Sequence, residues 1–294
     1  MSKLPNQFNR QRTAKGGYYQ GMKSRDYWKL RSKEKLSESF ATAQEVEEYS
    51  QALYKKCLID FCGKYNELVK PFVKNGELDL GALARARLTD SSFAYKFARL
   101  QTEIDLFTSA LGEEQVKKIG EMLEQVYKDN VIKTFADFHK SADGMEILNQ
   151  SAISRAVRTP FTADGREFSD RIWDNLNLMN GKLRATLAES IAKGESIQKT
   201  TRKFKDIFGN TTYNTERIIR TETMAAYSKA STNSYKELGV EELEVLAERD
   251  ACPVCQNMAR KKIKVREAET GVNIPPAHPF CKCCVAPVVK WSFE

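Results

Sequence analysis

Five of the seven cysteines and one of the two histidines fall between Asp250 and Cys284. The window opens with Cys252-Pro253-Val254-Cys255 and passes a spacer containing Gly271. It closes with Pro275-Pro276-Ala277-His278-Pro279-Phe280-Cys281-Lys282-Cys283-Cys284. Cys-x-x-Cys is the turn spacing that lets two thiolates share one Zn²⁺. Six donors compete for four tetrahedral places. Cys252 and Cys255 form the firm pair, and Cys283 with either His278 or Cys281 completes the set. Cys283 and Cys284, adjacent in a strand, point to opposite faces, so one ion cannot easily take both. Reduced thiols packed in a hairpin and local disulfides are the competing readings. There is no His-Glu-x-x-His and no acid in a general-base position, so the expected Zn²⁺ is structural rather than catalytic. A thioredoxin-like redox pair needs a strand-to-helix context, and the strand expected after the pair argues against it.

The compartment favours metal. The N-terminus lacks the apolar core of a secretory signal, and no apolar run reaches the roughly 18–20 residues of a membrane span. The expectation is therefore a reducing cytosol and no membrane partner. Ten Lys/Arg against two acids between Met1 and Leu36 account for the whole net charge of +8. Arg10, Arg12, Lys15, Lys23, Arg25, Lys29 and Arg31 are interleaved with Phe8, Tyr18, Tyr19, Tyr27 and Trp28. Charge can hold phosphate and rings can stack on bases, so residues 1–38 read as a basic arm suited to non-specific contact with double-stranded DNA. Docking on a neighbouring subunit is the alternative. The arm is expected to be extended and to become helical near Arg25.

Helical periodicity fills residues 39–150. One helix is expected from Thr42, with Glu45 completing a capping box and Pro71 stopping it. A second runs from Gly81 to Leu111, interrupted near Ser91-Ser92, and a third from Glu113 to Ser141, with His139 at its end. Cys57 and Cys62 read as small buried hydrophobes. After turn signals at Asp143-Gly144, Thr159-Pro160 and Asp164-Gly165, a helix follows Phe168. Gly194-Glu195-Ser196 breaks it, and Ser196 caps a short helix that ends at Gly209. A further helix spans Asn214 to Leu238, with Gly239 as its C′ residue. Strands are expected at 244–247, 262–265 and 284–289, as a small antiparallel sheet packed on helices. Glu222 falls on the apolar face of the last helix, near Arg217 and Arg220. A structural polar network of Arg220 and Glu222 is one reading, and a transferase-type site using both is the other.

The second half resembles the C-terminal domain of the phage Mu F-like minor head proteins, a head-morphogenesis family of tailed phages and prophages. Arg171-Ile172-Trp173, Gly194-Glu195-Ser196, Arg220-Thr221-Glu222-Thr223, the Cys-x-x-Cys and Pro-Pro-x-His-Pro-x-Cys-x-Cys carry the resemblance, over roughly residues 155–289. Ala259-Arg260 stands where the family often has Asp-Gly, and Cys281-Lys282-Cys283 replaces Cys-Arg-Cys with Cys284 added. The resemblance implies a non-enzymatic minor capsid component. It would associate with the portal protein and with capsid or scaffold proteins, in the host cytoplasm during assembly and then inside the virion head. The expected organisation is a basic arm (1–38), a mainly α domain (39–150) and an α+β Mu F-like domain (151–294) stapled by the Cys/His knot.

Overall fold

The computed structural model describes residues 22–74 and 77–289. Seven α-helices and five short strands are found there: α1 (Ser24–Val69), β1 (Val73–Lys74), β2 (Glu77–Leu78), α2 (Leu80–Thr89), α3 (Ser91–Asp137), α4 (Gln150–Arg158), α5 (Phe168–Lys193), α6 (Ile197–Glu237), β3 (Glu242–Leu246), α7 (Pro253–Met258), β4 (Lys262–Lys264) and β5 (Cys284–Pro287). The fold class is as expected: helical first, then α+β with a small antiparallel sheet. None of the described helices is long and apolar enough to cross a membrane.

Several expected boundaries vanish inside longer helices. Thr42 starts nothing, because α1 begins at Ser24, at the point where the arm was expected to turn helical. Buried positions recur along it at Trp28, Ser32, Lys35, Leu36, Ser39, Ala43, Glu47, Ser50 and Tyr54. The stripe has helical spacing but is written largely in Ser, Ala, Lys and Glu, which hides it from an apolar pattern. The second and third helices merge into α3, and the break precedes it at Asp90. Asp90 Oδ1 accepts from Ser92 N–H (2.8 Å) and Phe93 N–H (3.2 Å), a side-chain N-cap. The helices expected on either side of Gly209 are one, α6. Gly209 and Asn210 lie on its exposed face, while Phe204, Phe208, Thr211 and Thr215 keep the buried stripe unbroken.

Other signals hold. Val69 is the last residue of α1 before Lys70-Pro71. Ser196 Oγ accepts from Lys199 N–H (3.3 Å) at the start of α6. Gly239 (φ 73°) follows its end, where Val240 N–H donates to Tyr235 O at 2.9 Å. His139 lies just past α3. Cys57 and Cys62 are half-buried rather than fully buried.

The chain forms two compact units. Among the described residues, one comprises 22–44, 120–167 and 219–289, the other 45–74, 77–119 and 168–218. In the second unit Phe61 and Tyr65 of α1 meet Phe204 of α6 edge-on, with centroids 4.9 and 5.4 Å apart. Tyr54 and Asn175 share the hydroxyl of Thr215 at 2.9 and 3.0 Å. In the first unit Trp28 stacks on Phe138 at 4.6 Å. There Lys35, 1% exposed, sits between Asp137 (3.0 Å) and Thr134 (2.9 Å), with Arg31 on the other carboxylate oxygen of Asp137. A buried lysine must have such partners, since an unpaired buried ammonium is too costly to keep charged. The first unit also holds the sheet, in order β4-β3-β5, both pairings antiparallel.

Candidate metal centre

β3 positions the centre. Leu246 pairs with Cys284 at one end of the sheet. This puts Cys283 just outside β5 and sends the chain beyond β3 into Cys252. Cys252 is the N-cap of α7, Pro253 is in its first turn, and Cys255 is buried within it. Backbone N–H groups of Cys255 and Val254 point at the Cys252 sulphur and lower its pKa. A strand-to-helix passage thus does surround the pair, contrary to expectation. Cys255, however, faces His278 and Cys281, not Cys252 alone.

The second half-site arrives on a loop after β4. Asn273 braces it, donating to Glu267 O and accepting from Glu269 N–H, both at 2.7 Å. Gly271 has φ 85° and lies against Phe161 O, where a Cβ would collide. The Pro275–Pro276 bond is cis. His278 Nδ1 lies 2.7 Å from Pro279 O. With a proton on Nδ1, that contact leaves the Nε2 lone pair directed to Cys255 Sγ, 3.4 Å away. Cys281 Sγ lies 3.7 Å from Cys255 Sγ. A tetrahedral zinc with ordinary Zn–S and Zn–N bonds has S···S edges of about 3.8 Å and S···N edges of about 3.6 Å. The two separations therefore match the edges of such a polyhedron, and the residues present fit the ion.

All five predicted donors converge. Cys252, Cys255 and His278 form one group with mutual separations within 4.8 Å, and Cys255, Cys281 and Cys283 form another. His278 and Cys281 both stand beside Cys255, so they are not exclusive choices for completing the set. Cys284 is fully buried, which pushes its thiol up to about 12, and its electrostatic neighbours are Lys33, Glu248 and Lys35 together with Cys281 of the cluster. No disulfide joins the seven cysteines, all of which lie in the described residues. The thiols divide one charge unevenly. A hydrogen bond from Cys283 holds Cys281 down at about 5, Cys283 is driven up by the same bond, and burial pushes Cys255 to about 12. A bound divalent cation would ionise the rest and relieve the crowding.

Near the centre, Arg220 and Glu222 part company. Arg220 lines a cavity of about 650 Å³ with Lys33, Leu36, Phe40, Phe280 and Lys282. Glu222 is buried, and its charge acts on Lys229, two turns along α6. Burial lowers Lys229 to about 8 against the pull of Glu222. Its ammonium donates to Ala156 O (3.0 Å) and to Thr159 O, the free carbonyls at the end of α4. Lys229 carries no signal in the sequence, because a lone lysine on a long helix reads as solvated. Thr221, between the two charged residues, accepts from Phe280 N–H at 3.3 Å.

Of the expected DNA-contacting residues, Arg10, Arg12 and Lys15 lie outside the described residues. Lys23 is exposed and Lys29 half-exposed. Arg25 is paired with Glu244 at 2.9 Å, and Arg31 with Asp137 and Glu34.

The long helices and small sheet thus carry, at the sheet's end, a group of four thiols and one imidazole with the donor set to hold a metal ion. Residues 181–286 match the family model described as phage Mu protein F like protein, and the resemblance read from the sequence is shown over that stretch. No curated protein and no solved structure matches the chain significantly.

Proposed function

We propose that this is a structural protein of the phage head, acting in head morphogenesis, whose C-terminal module is stapled by one structural Zn²⁺. The observation that carries this is the coincidence of the family match with the convergence of Cys252, Cys255, His278, Cys281 and Cys283. Four of these hold the ion and the fifth stands beside it. The protein associates with the portal and with capsid or scaffold proteins in the host cytoplasm. It then remains in the head interior, where the basic arm touches packaged DNA without sequence preference. Arg10, Arg12, Lys15, Lys23 and Lys29 are the residues for that contact, since Arg25 and Arg31 are already paired within the protein. The transferase alternative asks Arg220 and Glu222 to serve one substrate. Arg220 at a cavity wall and Glu222 buried beside Lys229 fit a structural role better.

Purified protein is expected to carry close to one equivalent of zinc by metal analysis. Cys255→Ser, which removes the donor common to both groups, is expected to lose the ion and melt well below the parent. Zinc absent from the parent protein would refute the staple. Co-sedimentation with portal-containing procapsids tests the head assignment, and failure to co-sediment at any salt would count against it.

A further inference from the structure

We infer that Thr221 is the positioning residue for the second half of the metal centre, an assignment that rests on the metal-binding reading above. Between His278 and Cys281 the chain must reverse within three residues so that both side chains face Cys255. Phe280 makes that reversal by adopting φ 59°. For a bulky L-residue this left-handed conformation is unfavourable and persists only where the surroundings impose it. Inside the turn there is one backbone bond, Cys281 N–H to His278 O at 3.2 Å. The Phe280 N–H leaves the turn and donates to Thr221 Oγ1 at 3.3 Å, across 59 positions of sequence. Phe280 lines the same cavity as Arg220, the residue before Thr221.

α6 is a firm platform for this. Ile219, Thr223 and Met224, on either side of Thr221, are fully buried, and Thr223 Oγ1 bonds Ile219 O at 2.7 Å. The turn is therefore held from outside by a residue of α6. Holding it keeps His278 Nε2 and Cys281 Sγ at 3.4 and 3.7 Å from Cys255 Sγ, the spacing a tetrahedral ion requires. Outer contacts of this kind set how firmly ligands are pre-arranged, and so how long the ion stays. The Arg-Thr-Glu stretch and the Pro-Pro-x-His-Pro-x-Cys-x-Cys stretch thereby become parts of one device.

The test uses the full chain loaded with zinc, with release to a chromogenic chelator and hydrogen exchange at the Phe280 amide as readouts. Thr221→Val is expected to keep the stoichiometry but release zinc about fivefold to tenfold faster, the scale of one lost hydrogen bond. It should also speed exchange at Phe280, and Thr221→Ser should restore both. Glycine takes positive φ without penalty, so the Thr221→Val effect should shrink in a Phe280→Gly background. Thr221→Ala serves the same comparison where the valine variant does not fold. A wild-type release rate in both Thr221 variants, with the parent holding one equivalent of zinc, would overturn the role of Thr221 and leave the metal reading standing. A parent that takes up no zinc would overturn both.

Discussion

Glu195 sits 8% exposed between α5 and α6, and three groups reach it. Lys203 Nζ and Ser190 Oγ lie 2.7 and 3.0 Å from Oε2, and Lys199 Nζ lies 2.9 Å from Oε1. The two lysines hold its carboxyl at about 2, against 4.5 for an unperturbed glutamate. Between those values the unfolded chain binds a proton that the folded chain does not. The stabilisation is therefore complete above about pH 4.5 and drains away as the pH falls towards 2. Thermal melts at pH 5, 4 and 3 are expected to show Tm falling through that window. Glu195→Gln should flatten this part of the profile while costing about 1–2 kcal/mol at neutral pH. At this scale a Cys/His cluster able to hold a metal ion was legible, because sulphur and imidazole at such density admit few uses. Lys35 was not. It stood in a basic stretch that reads as solvated, and only Asp137, about a hundred residues later, explains its burial.

Elements were legible where their buried stripes were written in large apolar residues and obscured where they were not. The three strands of the C-terminal sheet came out within a residue or two, the β1-β2 pair was not expected, and α5 was found whole, because Ile172, Leu176, Met179, Leu183, Leu187 and Ile191 mark its inner face. α1 and α6 were cut short because Ser, Thr and Ala occupy much of theirs. Gly112 illustrates the converse error. It was read as the gap between two helices, yet it lies inside α3, where a Cβ would overlap the ring of Trp173 on α5. That contact gives the Arg171-Ile172-Trp173 stretch a packing purpose. Gly112→Ala is expected to destabilise the protein by about 1–3 kcal/mol in denaturant titrations, even though alanine is the better helix former by about 1 kcal/mol. Trimming the ring in Gly112→Ala/Trp173→Leu should recover part of that loss. A neutral or stabilising Gly112→Ala would mean the ring is not seated there.

At the level of the whole molecule, the described part of the N-terminal basic stretch packs into its unit from Ser24 onward. Trp28 has no exposed surface, Ser24 Oγ bonds Val289 O at 2.8 Å, and Tyr227 OH bonds Ser32 O at 2.8 Å. Truncation through residue 21 leaves these contacts in place. It is expected to preserve a cooperative melt while lowering DNA retention at low salt. Truncation through residue 38 removes Trp28, Lys35 and Leu36 together. Losing the Trp28 side chain alone is worth about 3–5 kcal/mol, so the melt should lose its cooperativity. A DNA-binding loss seen only with the longer truncation would therefore report unfolding rather than lost charge.

The 265 residues separating Ser24 from Val289 also set a clock. On the ribosome the opening turns of α1 are made more than two hundred residues before their partners Glu244 and Val289. That unit cannot close until those residues emerge, so its early segments must wait, exposed, while they are made. Capture of zinc by the late-arriving cysteines would then coincide with completion of the fold, and a prematurely terminated chain would be left open to proteolysis.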